Sequence, residues 1–79
     1  MVAPEDVKRY IAENLDCQHV EVTGDGQHFQ ALIVSEAFRG KSRVQQHLLV
    51  YQALGERMRE EIHALSMQTL TPDNWGGRG

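Results

Sequence analysis

Apolar positions recur at two different periods along this chain, and the switches between them mark out its elements. From residue 4 to residue 15, Val7, Tyr10, Ile11 and Leu15 fall on one helical face. Pro4 suits a first helical turn, where a missing N–H costs nothing. Glu5 and Asp6 sit at the positive end of the helix dipole. A first helix over 4–15 is predicted. The period shortens to two over 19–23, where Val20 and Val22 share a face, so this segment reads as a half-buried strand. Gly24-Asp25-Gly26 follows, and Asp-Gly signals a hairpin because such turns need positive φ. Residues 28–35 read as a second strand. Its run from Ala31 to Val34 is apolar on both faces, which predicts the central place in a sheet.

Residues 36–41 break the pattern, and Ser42 is a candidate N-cap. Val44, Leu48, Tyr51, Gly55 and Met58 then follow at spacings of 4, 3, 4 and 3, widened by Leu49, Val50 and Leu54. A helix over about 43–60 is predicted, with this stripe as its core face and Gly55 as its weak point. Residues 64–70 set Leu65 and Met67 against Ser66 and Gln68, which predicts a third strand. Thr71-Pro72-Asp73 can cap a last helical turn whose Trp75 packs back, and residues 76–79 are expected to fray.

The order α-β-β-α(α)-β-α has one compact solution. It is an α+β two-layer sandwich, with helices on one face of a three-stranded mixed sheet, forming a single domain over residues 1–79. The second strand, long helix and third strand make a crossover, which joins parallel strands. Parallel strands two and three start at one end of the sheet. That topology predicts His28 and His63 at one edge, with Cys17 and His19 at the opposite end.

Composition narrows the function classes. Net charge is −3 across 79 residues, with a pI near 5.7. This argues against DNA binding driven by the field of the whole protein and leaves only a local basic patch. One cysteine cannot form an internal disulfide, so a reducing, cytoplasmic setting is expected. No apolar run has the length of a membrane helix, and the N-terminus lacks a signal-peptide pattern.

Three constellations carry chemistry. His28 and His63 form a candidate metal pair at the strand edge. Two ligands leave a four-coordinate site incomplete, so a partner, a second copy or water must supply the rest. Cys17 lies two residues from His19, but nothing readable orients that pair, and an idle thiol is the better reading. No nucleophile elbow is present, and Gly40-Lys41-Ser42 lacks the upstream glycine of a P-loop, so an enzyme is not expected. Finally, Arg39, Lys41 and Arg43 open the long helix with His47 a turn further on. Those cations and the helix N-terminal amides suit phosphate or a docking partner. Compared with the Gly-x-x-Gly clamp of RNA-binding KH modules, the stretch Gly40-Lys41-Ser42-Arg43 lacks the second glycine.

Several separate signatures, in order, resemble the BolA-like proteins. They are residues 38–47 (Phe-Arg-Gly-Lys-Ser-Arg-Val-Gln-Gln-His), Val50-Tyr51, and residues 62–72 (Ile-His-Ala-Leu-Ser-Met-Gln-Thr-Leu-Thr-Pro) with Trp75. Gly24-Asp25-Gly26-Gln27-His28-Phe29 is similar to the short IbaG-like subgroup. The resemblance runs from about Val7 to Trp75. It implies a KH-like fold, no enzymatic activity, and partnership with a monothiol glutaredoxin in iron–sulfur trafficking and iron homeostasis. On this likeness a [2Fe-2S] cluster is shared with the glutaredoxin and glutathione, and His63 is the ligand from this side. The hairpin between strands one and two departs from the family in being short and without Cys, which leaves His28 as the nearby second candidate. Some members are described as transcriptional or stress-response regulators. Here Gln46 and Leu48 flank His47 in place of the commoner arginines, which weakens a DNA-binding reading. Homodimer and heterodimer are both open.

Overall fold

The computed structural model describes residues 2–62 and 64–76. Helix α1 spans Pro4–Asn14. Strand β1 (His19–Gly24) turns at Asp25 into β2 (His28–Val34). A short 3-10 turn at Glu36–Phe38 leads to α2 (Arg43–Leu54), then α3 (Glu56–Glu60), β3 (Ala64–Leu70) and a final turn α4 (Pro72–Gly76). No helix among the described residues is long and apolar enough to cross a membrane.

The sheet order is β1-β2-β3, with β1 antiparallel and β3 parallel to the central β2. The expected α+β fold and mixed sheet are therefore present. Alternation along β2 sends Phe29, Ala31 and Ile33 into the core, where they meet Val7 and Ile11 of α1 and Val50 and Leu54 of α2. Asp25 closes the hairpin by accepting the backbone N–H groups of Gln27 and His28 at 2.9 Å each, and Gly26 takes φ 99°. The irregular 36–41 segment plugs the sandwich with Phe38, which is fully buried. Ser35, also fully buried, donates its hydroxyl to the Asp16 carbonyl (2.7 Å) and accepts the Ala37 N–H (3.1 Å). At the same end, α4 stacks Trp75 on His19, with ring centroids 4.7 Å apart.

The long second helix departs from expectation twice. It breaks at Gly55, whose φ of 58° and ψ of −135° end α2 and start α3. Its rotation also differs. Val50, Ala53 and Leu54 are buried, whereas Val44, Leu48 and Tyr51 are 70%, 51% and 38% exposed. The predicted core stripe therefore faces outward over its first two turns. Gln46 gives the reason. Its amide donates to the carbonyls of Phe38 (3.2 Å) and Lys41 (3.0 Å), and its oxygen accepts the Thr69 hydroxyl (2.6 Å). Pinned inward at 46, a helix advancing 100° per residue turns 50, 53 and 54 to the core and 44, 48 and 51 to solvent. Ser42 caps this helix as expected, in a reciprocal box with Gln45.

Candidate functional site

The register positions the chemistry. His28 opens β2, and its Cα partner across the parallel ladder is Ala64, the first residue of β3. The Ala64 N–H donates to the Gln27 carbonyl at 3.0 Å, which ties the two strand starts together. His28 is exposed, and its Nδ1 lies 3.9 Å from Oδ2 of Asp25. The backbone N–H groups of His28 and Gln27 hold the Asp25 carboxyl below the usual carboxylate range, so it stays ionised beside the imidazole. This is the rim at which the metal pair is expected. His63 itself lies outside the described residues. Among the described residues no three His, Cys, Asp or Glu side chains gather into a metal site. A metal at His28 would need ligands from beyond them.

The basic segment lies at the other end of the sheet. Arg43 and His47 share a cleft of about 380 Å³ with Met67, Gln68, Thr69 and Leu70, at the finish of β3 rather than its start. Six strand steps separate Ala64 from Leu70, about 20 Å at about 3.3 Å per residue. The four basic residues are not equivalent. Lys41 and Arg43 are exposed and His47 is half-buried. Arg39 is engaged twice, by Glu36 and by Asp73 at 2.9 Å. That pairing draws the Glu36 carboxyl down and raises the Arg39 guanidinium further, so Arg39 ties the 3-10 turn to α4. Arg39 therefore reads as a structural strut, which leaves Lys41, Arg43 and His47 as the outward basic set.

Cys17 sits at the end of the sheet away from His28, as predicted: the neighbouring Gln18 N–H donates to the Val34 carbonyl. The thiol is half-buried, and burial, with the charge of Asp16 adding, pushes it up to about 11. It keeps its proton at neutral pH, which fits an idle thiol rather than a nucleophile. The exposed stripe on α2 is the surface feature that sequence spacing misplaced. The signal that marks it is Gln46, a polar residue at a core position.

A family model described as BolA-like protein matches residues 9–74. The chain belongs to the BolA-like family. Acid stress protein IbaG of Escherichia coli strain K12 is 39% identical over 71 residues, covering 89% of this chain and 84% of the relative. The DNA-binding transcriptional regulator BolA of Haemophilus influenzae is 38% identical over 63 residues, 80% of this chain and 61% of that protein. The solved structure of a BolA protein homologue from Coxiella burnetii superposes with a TM-score of 0.85 at 40% identity, covering 96% of this chain and 99% of that one. The sandwich described above is thus the BolA-like fold.

Proposed function

We propose that this BolA-like chain is an adaptor rather than an enzyme. It docks a monothiol glutaredoxin and shares a [2Fe-2S] cluster with it and glutathione, as cargo in iron–sulfur trafficking and iron homeostasis. The observation that carries this reading is the rim: parallel β2 and β3 start level with each other, and β2 presents His28 there to solvent. An exposed imidazole is a fit donor for the iron of a mixed sulfur and nitrogen shell. His63 is the first ligand in this proposal and His28 the second.

Co-expression with a monothiol glutaredoxin, purification with glutathione, and a visible absorption and circular dichroism spectrum test it. A coloured heterocomplex is expected. His63→Ala and His28→Ala should each alter the cluster spectrum or shorten its lifetime while the chain stays folded. If both variants match wild type, the ligand assignment is wrong. If no heterocomplex forms, the adaptor reading falls.

A second reading, a DNA-binding transcriptional regulator, draws on the exposed Lys41 and Arg43 at the α2 N-terminus and on the name of the Haemophilus relative. The net charge of −3 confines any such contact to that patch.

A further inference from the structure

We propose that Asp25 is a positioning residue for the rim: its carboxylate holds the proton of the neutral His28 ring on Nδ1 and so leaves the Nε2 lone pair for iron. The purpose of this arrangement rests on the cluster role proposed above; the arrangement itself does not.

The two carboxylate oxygens of Asp25 do different work. Oδ1 accepts the backbone N–H groups of Gln27 and His28 at 2.9 Å each. That double contact fixes the side chain across the turn, and Oδ2 falls on the imidazole side, 3.9 Å from His28 Nδ1. The backbone beneath the ring is held as well. The Asp25 N–H donates to the His28 carbonyl at 3.2 Å. A Cβ on Gly24 would lie 2.5 Å from the same carbonyl, so glycine is what lets the two strand ends approach this closely. On its other side His28 is level with Ala64 in the parallel ladder. The imidazole therefore stands on a backbone pinned from both sides.

A neutral imidazole carries one proton, and the nitrogen that holds it has no lone pair to give a metal. Which nitrogen coordinates is decided by the partner of the other one. An ionised carboxylate only accepts, so beside Nδ1 it favours Nδ1–H and leaves Nε2, the nitrogen farther from the backbone, as the donor. Asp25 is ionised at neutral pH because the same backbone N–H groups stabilise its charged form. At 3.9 Å the pair is longer than a hydrogen bond, so in the free chain the carboxylate acts through its charge. Iron drawing electrons from Nε2 makes Nδ1–H a stronger donor, and a small turn of the exposed ring closes the contact. A carboxylate behind a ligating imidazole also raises the basicity of the ring, and with it the grip on the metal.

Asp25→Asn separates positioning from turn building. Its carbonyl oxygen still accepts the two backbone N–H groups, but an amide NH2 stands where Oδ2 stood. That group donates to Nδ1 and moves the ring proton to Nε2. Long-range 1H–15N correlation spectra of the free chain at about pH 8, above the ordinary histidine range near 6.5, read the ring nitrogens directly. Nδ1–H should predominate in the wild type and Nε2–H in Asp25→Asn, with His28→Ala identifying the signals and the Gln27 and His28 amides keeping their protection. The same ring form in both proteins overturns the proposal, as does Nε2–H predominating in the wild type. In the glutaredoxin heterocomplex, Asp25→Asn should shorten the cluster lifetime by about tenfold or more. A cluster that responds to His28→Ala but not to Asp25→Asn overturns the positioning role. One indifferent to both removes His28 from the iron shell, and the proposal with it. Absence of any heterocomplex removes the adaptor reading instead, and the free-chain spectra then still uphold or overturn the assignment to Asp25.

Discussion

At the scale of single residues, the hairpin turns on one carboxylate. Asp25 accepts two backbone N–H groups, and those bonds hold its acidity below the ordinary value. A carboxyl depressed in the folded state stabilises that state fully above its unfolded pKa, about 3.9. The contribution is lost as pH falls through the lower folded value. The protection of the Gln27 and His28 amides, measured against their intrinsic exchange at each pH, should therefore fall only below about pH 4. Asp25→Asn keeps an acceptor but removes the charge, so the protection of these amides should show no acid-dependent loss from this group. Equal acid profiles for the two proteins would refute the assignment. Because His28 follows in the same turn, this carboxylate also determines where the rim imidazole stands.

At the scale of elements, the break at Gly55 separates two helices that the spacing had joined. Its φ of 58° with ψ of −135° lies where side chains are strained. Gly55→Ala should cost about 1–3 kcal/mol. In a domain this size that lowers Tm by about 4 °C or more, while Gln52→Ala on the exposed face should leave Tm unchanged. Calorimetry of the pair decides it; equal Tm values would show that α2 and α3 merge without strain. Most element boundaries were legible because they rest on local chemistry. The Ser42 cap, the Asp25-Gly26 turn, the two-period alternation of β1 and β3, and the doubly apolar Ala31–Val34 run each point one way. The rotation of α2 was not legible, because two apolar sets compete there at helical spacing. What chooses between them is a long-range hydrogen bond from Thr69 to Gln46, which no local pattern encodes. Arg39 was legible only in part: Glu36 lies three residues before it, but Asp73, which also engages it, lies 34 residues away.

At the scale of the whole molecule, the two candidate functions occupy opposite ends of one sheet. The His28 rim and the Lys41, Arg43 and His47 end are separated by the length of β3, so they should separate genetically. Lys41→Ala with Arg43→Ala should leave the cluster spectrum of the glutaredoxin heterocomplex unchanged. If nucleic acid binds, the pair should reduce its salt slope by about two, one for each phosphate contact removed. A double variant that bleaches the cluster would show that the glutaredoxin reaches across the whole sheet. The topology was readable from element order alone. What the partner covers was not, because that depends on which cations are already held by carboxylates of the same chain.

The half-buried sulfur of Cys17 gives the molecule a native clock. Burial and the neighbouring Asp16 charge keep it protonated, so an alkylating reagent captures it slowly in the closed fold and faster whenever that corner opens. A change in the rate of covalent capture then reports a change in the exposure of the α1–β1 junction, with no foreign label introduced, between the free chain and any complex it forms.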